Sequence, residues 1–278
     1  MTAGGNINNA MNVPTYLQRG SGDEALVLLH GIGGRAEVWE PQLAALSSRY
    51  HVIAWNMPGY GGSPPLPKLT FPALADALET LLDTLPAKRI HLVGHSMGGM
   101  VAQEFLRHRA GRLASVCLYA TNPGIGRPET PEAAEAARLR SEEFMRRRIG
   151  PIDAGMSMRD MAYTLLDQLL MPYAPQSARV AAIESVSSVP PDVYRAAMRA
   201  FLSFDGTEVV PNIQLPTLVI AGGEDRTMPV AVVEAMARQI RGARLEVIGA
   251  VGHLANLEDP AAFNRVLADF LVTVSPAS

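Results

Sequence analysis

Short continuous apolar runs alternate with helical spacing along this chain, and that alternation leaves few folds open to it. The runs are Ala25 to Leu29, His51 to Trp55, Ile90 to Val93, Leu113 to Ala120, Leu215 to Ala221 and Arg244 to Ile248. A strand without a polar face has to be covered on both sides. Helical patterns follow the runs and supply that cover. They are Val38 to Leu46, Phe71 to Leu85, Met97 to His108, Val230 to Ile240 and Pro260 to Val272. In the second of these, Leu74, Leu78, Leu81, Leu82 and Leu85 recur at helical spacing. Strand and helix in turn predict a mostly parallel central sheet with helices on both faces.

From Thr121 to Pro211 the alternation stops. Helical patterns alone remain, at Glu132 to Arg148, Arg159 to Leu170, Gln176 to Ser187 and Asp192 to Phe204, separated by Pro151, Pro172, Pro175, Pro190 and Pro191. A helical block between two strands cannot join the sheet. It is expected to cap the carboxyl ends of the strands, where open α/β sheets bind their ligands. The expected division is a core of residues 1–122 and 211–278 with a helical cap of residues 123–210. Met1 to Asn12 reads as a loose arm.

Composition removes several classes of function. Apolar residues make up 48% of the 278 residues, enough for a large core. The net charge of −3, from Lys+Arg 24 against Asp+Glu 27, gives no footprint for nucleic acid or an anionic membrane. No apolar run approaches the roughly 20 residues of a membrane span. The single cysteine, Cys117, cannot form an internal disulfide or a thiolate metal site alone. Met1 to Gly20 lacks the basic start and apolar stretch of a secretory signal, so the expected location is the cytoplasm. No cofactor and no metal is expected.

Gly94-His95-Ser96-Met97-Gly98 is a G-x-S-x-G sequence between a strand and a helix. A sharp turn there needs small residues two before and two after the serine, and it lifts the serine oxygen above the sheet. Ser96 is the expected nucleophile rather than a helix cap. A serine needs a base, and the base needs an orienting acid. His253 follows the last strand in the loop Gly249 to His253, at the carboxyl edge. The other histidines lie in turns with other roles, at the far end of the sheet or on a charged helix face. Asp225 or Glu224 follows the strand ending at Ala221, and Asp225 is favoured because Pro229 opens the next helix beyond it. Asn122, after the earlier strand, cannot carry the charge. The chain order Ser96, Asp225, His253 differs from that of the two best-known serine protease families.

Acyl transfer passes through an oxyanion that backbone N–H groups can hold. The expected donors are Met97, directly after the serine, and Ile32 in His30-Gly31-Ile32-Gly33-Gly34, with Gly33 as the alternative. The same loop continues as Gly31-Ile32-Gly33-Gly34-Arg35-Ala36, which fits a dinucleotide fingerprint. That reading needs an acid at the end of the next strand. The chain has Ala54-Trp55-Asn56 there, so it is set aside.

These motifs resemble the α/β-hydrolase superfamily from about Tyr16 to Leu271. The matching stretches are HGIGG (His30 to Gly34), NMPGYGGS (Asn56 to Ser63), GHSMGG (Gly94 to Gly99), GGEDRTMP (Gly222 to Pro229) and VGHLANLEDP (Val251 to Pro260). The resemblance implies the α/β-hydrolase fold, with the helical cap inserted after the sixth strand. Trp39-Glu40-Pro41-Gln42, the tail from Gly252 to Phe270 and the segment Pro190 to Phe201 are similar to 3-oxoadipate enol-lactonases. That likeness implies a serine hydrolase acting on a small ester or lactone, with water as the second reactant. Asn56 departs from the family, where many relatives carry Asp. Ser96 argues against the dehalogenases and epoxide hydrolases of this fold, which use aspartate. A C–C bond hydrolase of ring-cleavage products is the alternative enzyme, and a non-turnover ligand receptor on the same fold the alternative outside enzymology. If the substrate carries a carboxylate, as the lactonase likeness implies, a cation must meet it, from among Arg35, Arg226, Arg138 and Arg140. Met156, Met158, Met161, Phe144 and Tyr163 are candidates to line the cap's pocket, although stripes at helical spacing are more often packing, and Glu142 with Arg146, Arg147 and Arg148 reads as a solvated face.

Overall fold

Six parallel strands and one antiparallel edge strand form the sheet of the computed structural model, which describes residues 13–124, 126 and 130–275. The strands are β1 (Tyr16–Arg19), β2 (Glu24–Leu29), β3 (His51–Trp55), β4 (Arg89–His95), β5 (Ser115–Tyr119), β6 (Thr217–Gly222) and β7 (Arg244–Ile248). Their order is β1-β3-β2-β4-β5-β6-β7, with β1 antiparallel to β3 and every other pair parallel. The six expected strands are all present. Ala25 to Leu29, Val52 to Trp55 and Leu218 to Ala221 are buried along their whole length, as apolar runs without a polar face require.

Helices α1 (Glu40–Leu46), α2 (Phe71–Asp83), α3 (Met97–Arg109), α8 (Val230–Ala237), α9 (Ala255–Glu258) and α10 (Pro260–Val274) belong to the sheet's cover. Thr70 caps α2 by accepting from the Ala73 amide, and α2 buries Leu74, Leu78, Leu81 and Leu82. Fully burying a side chain of this kind contributes about 1.5–3 kcal/mol. Four further helices stand between β5 and β6: α4 (Pro131–Asp153), α5 (Met158–Leu169), α6 (Gln176–Ser187) and α7 (Pro191–Leu202). Within this insertion α5 packs on α6 and α4 on α7.

Three expectations need correction or comment. The insertion leaves the sheet after the fifth strand in chain order, not the sixth, because one strand alone, β1, precedes Glu24 among the described residues. Pro151 does not separate two helices; α4 runs through it to Asp153, held by the buried Ile149 and Ile152 on either side. The arm expected at Met1 to Asn12 lies outside the described residues. Among the described residues, no helix is long and apolar enough to cross a membrane.

Because β2 to β7 run in one direction, their carboxyl ends share one edge of the sheet. The loops leaving Leu29, His95, Gly222 and Ile248 meet there. The inserted helices are tied to three of them. Ser185 Oγ donates to Gly33 O at 2.8 Å, Thr227 Oγ1 to Gln168 O at 3.0 Å, and the His253 amide to Leu169 O at 3.0 Å.

Candidate active site

At the end of β4 the chain turns sharply into α3, and Ser96 is the residue at the bend, with φ 52° and ψ −118°. A non-glycine residue in that region is strained by roughly 1–3 kcal/mol, so the surroundings must hold it. They do so tightly. A Cβ on Gly94 would lie 2.5 Å from Gly98 O, and one on Gly98 would lie 2.5 Å from Leu29 O. Only glycine fits either place, which is the physical content of the G-x-S-x-G spacing. The Ser96 amide donates to Tyr119 O at 2.9 Å, and Thr121 Oγ1 donates to Ser96 O at 2.8 Å. The serine is half-buried and lines a cavity of about 230 Å³.

His253 and Asp225 come from the loops after β7 and β6. Their close approach depends on Gly222, where an added Cβ would sit 2.1 Å from Gly252 O. His253 Nδ1 and Asp225 Oδ2 are 2.7 Å apart, and both residues are buried. The other carboxylate oxygen, Oδ1, accepts from the amides of Thr227 at 2.7 Å and Met228 at 2.8 Å. In a neutral imidazole, donation from Nδ1 to this carboxylate puts the free lone pair on Nε2. His253 lines the same cavity as Ser96. Glu224, the other carboxylate of the loop, is exposed.

Of the expected oxyanion donors, one follows the serine in the chain and the other lines its cavity. Met97 is the first residue of α3, where an amide has no partner within the helix. Ile32 lines the cavity in the loop after β2. That loop is braced from behind by His30, whose Nδ1 donates to Gly31 O at 2.8 Å and whose Nε2 accepts from the Met57 amide at 3.0 Å. Asn56 helps in the same way. Its Oδ1 accepts from the Ala36 amide at 2.8 Å while its Nδ2 donates to Thr15 Oγ1 at 3.0 Å. An aspartate could meet Thr15 only by accepting from its hydroxyl, which already donates to Gly61 O at 2.9 Å, so asparagine suits the local pattern.

Residues 24–260 match the family described as the alpha/beta hydrolase fold. The chain belongs to the α/β-hydrolases. A protein named 3-oxoadipate enol-lactonase 1 from Acinetobacter baylyi is 28% identical over 253 residues, 90% of this chain and 89% of that protein. A relative from Pseudomonas savastanoi pv. phaseolicola, named as a candidate carbamate hydrolase, is 32% identical over 251 residues, 88% of this chain and 93% of its own length. Among solved structures, a thermophilic esterase from Thermogutta terrifontis with malate bound superposes with a TM-score of 0.78 at 31% identity, covering 94% of each chain. Family and relatives together support hydrolase activity.

Two groups at this α/β-hydrolase site were not legible beforehand. Glu258, on α9, is buried, and its carboxylate accepts from the Gly252 amide and the Met171 amide, each at 2.8 Å. It therefore fastens the histidine loop to the segment after α5. Burial raises its pKa, and the amides it accepts from oppose that rise. The nearest sequence signal was its place five residues after His253. Arg148 is the other. It lines the cavity together with Phe144, and so is not part of a solvated face. Of the four arginines expected to meet a carboxylate, Arg226 alone lines the cavity. Arg35 pairs with Glu37, and Arg138 with Glu135 and Glu142. Met158 and Met161 pack in the core as expected, and Tyr163 is exposed.

The histidines around the hydrolase site make its stability depend on pH. Burial lowers His30 from 6.5 to about 4 and holds His95 well below its usual value. As pH falls below 6.5, the unfolded chain takes up these protons and the folded chain does not, so stability falls. The His30 shift alone predicts a loss of about 2 kcal/mol between pH 7 and pH 5, with His95 adding in the same direction. Urea unfolding at the two pH values measures this. Equal stability at both would contradict the burial of these rings in their neutral form.

Proposed function

We propose that this α/β-hydrolase is a serine hydrolase that cleaves a small carboxylic ester or lactone through an acyl-enzyme. One arrangement carries the reading: a buried Asp225–His253 pair sharing a cavity with a serine held in a strained strand-to-helix turn. His253 Nε2 takes the Ser96 Oγ proton as the oxygen attacks the carbonyl carbon. Asp225 keeps the proton on Nδ1 and stabilises the imidazolium that forms. The oxyanion is held by the Ile32 and Met97 amides, the second of them at the positive end of α3. Collapse breaks the C–O bond, and His253 returns its proton to the leaving oxygen. In a lactone that oxygen stays tethered to the acyl group. Water then repeats the sequence, with His253 as base, and releases the acid. Residues 123–210 act as the cap and residues 1–122 with 211–278 as the core. The cap walls the cavity and limits the substrate to small molecules. The enol-lactone class is supported by the relative that bears that name and by the shared stretches in the cap and tail.

A panel of p-nitrophenyl esters, lactones and enol-lactones tests this. Saturable hydrolysis of at least one class is expected, and turnover also separates an enzyme from a receptor on the same fold. The dependence of kcat/KM on pH is the sharper readout. Burial holds His30 and His95 neutral, which leaves His253 as the histidine placed to exchange a proton with the serine. Its protonated form cannot accept the serine proton. The rate should rise with pH through one ionisation, with unit slope, to a plateau. A rise of slope two, or a rate that falls as His253 becomes neutral, would contradict the assignment.

A further inference from the structure

The cavity wall built by α4 and α7 presents a tyrosine hydroxyl and a guanidinium that meet no carboxylate or carbonyl oxygen among the described residues. Tyr194 is 1% exposed, and among the described residues its buried hydroxyl finds no acceptor for its proton. Burial raises the Tyr194 pKa, and the nearby Arg148 guanidinium opposes that rise, so the two groups sit side by side. Arg148 has no carboxylate partner among the described residues, whereas Arg138, Arg146 and Arg147 on the same helix pair with Glu135, Glu142 or Glu143. Instead its guanidinium lies over the Phe144 ring, 5.6 Å from the centroid, and Phe144 stacks on Phe201 at 5.8 Å and 22°. Arg148, Tyr194, Phe144 and Phe201 line the cavity that holds Ser96 and His253.

A stacked guanidinium is fixed in plane, with its N–H edge directed sideways. A buried hydroxyl without an acceptor is a costly state for a free protein, and the part-buried guanidinium over the Phe144 ring lacks a counterion among the described residues. Both are relieved by the same ligand group, one that is anionic, planar and able to accept several bonds. A carboxylate fits a guanidinium edge in two parallel bonds and leaves a lone pair for the tyrosine. The cavity, about 230 Å³, admits a short chain between that group and the serine.

We propose that Arg148 and Tyr194 form a carboxylate subsite in the cavity, so that the preferred ester or lactone carries a carboxylate on the part away from the scissile carbonyl. This specifies the substrate class of the proposed hydrolase site and rests on that reading for its kinetic consequence only. Two measurements test it separately. Titration calorimetry with glutarate needs no turnover. Wild type should bind it, Arg148→Met should weaken binding at least tenfold, and Tyr194→Phe severalfold. Arg148→Met keeps the apolar stem on Phe144, and Arg148→Lys, which retains charge without the fork, should fall between Arg148→Met and wild type. Kinetics then compare the p-nitrophenyl half-ester of glutaric acid with p-nitrophenyl valerate. Arg148→Met should raise KM for the half-ester at least tenfold more than it raises KM for valerate. Binding that depends on Arg148 with no hydrolysis of either ester would keep the subsite and remove the hydrolase reading. Hydrolysis of both esters without glutarate binding, or with equal effects of Arg148→Met on both, overturns the subsite and leaves the hydrolase.

Discussion

Asp225→Asn is expected to lower kcat by about 10⁴, as the loss of the orienting carboxylate does in serine proteases. The local geometry gives the reason. Oδ1 of Asp225 accepts from two backbone amides, those of Thr227 and Met228. In the asparagine variant the amide oxygen keeps those two bonds, because the NH₂ group cannot accept them. The NH₂ group then faces His253 Nδ1, which must accept rather than donate. The proton moves to Nε2, the atom that has to receive the serine proton, and the base is lost in the productive tautomer. The fold is little disturbed, since every backbone bond to the loop survives. Glu224→Gln, at an exposed position, should leave kcat within about twofold. Steady-state kinetics of both variants on one ester decides the point. A nearly normal Asp225→Asn with an inactive Glu224→Gln would move the acid to the neighbouring residue.

Ser96→Ala is expected to have the larger effect. Loss of the nucleophile removes the covalent path entirely, and turnover should fall by a factor on the order of 10⁶, leaving only what the cavity and the amides give a water molecule. Stability should hardly change. Alanine at this bend inherits the same positive φ, and the Gly94 and Gly98 contacts that enforce the turn are untouched. Thermal melting of the variant should stay within a few degrees of wild type. Inactivity with intact folding identifies chemistry rather than collapse as the cause.

Much of this architecture was legible because two periodicities carry it. Buried parallel strands leave continuous apolar runs, and their covering helices leave helical stripes, so β2 to β7 and the elbow glycines could be read directly. β1 could not. Tyr16–Arg19 is a short edge strand with no buried position, so it leaves no apolar run. The end of α4 failed for a different reason. Gly150-Pro151 is a stop signal locally, but burial of Ile149 and Ile152 carries the helix through it. Arg148 then shares a face with Phe144, one turn earlier, and that face is turned to the cavity by packing against α7. A run of arginines says nothing about which of them a distant helix will cover. Glu258 was missed likewise, because its partners, the Gly252 and Met171 amides, are backbone groups that no side-chain motif reveals.

The acyl-enzyme is the centre of the functional account, and covalent labelling reaches it without knowledge of the substrate. Wild-type protein treated with a fluorophosphonate should gain one phosphonyl group by intact-mass spectrometry, and peptide sequencing should place it on Ser96. His253→Ala, which lacks the base, should label at least about 10³-fold more slowly. The expected outcome is an adduct on Ser96, formed at a rate set by His253. A folded protein that stays unlabelled, or an adduct on a residue other than Ser96, would contradict it.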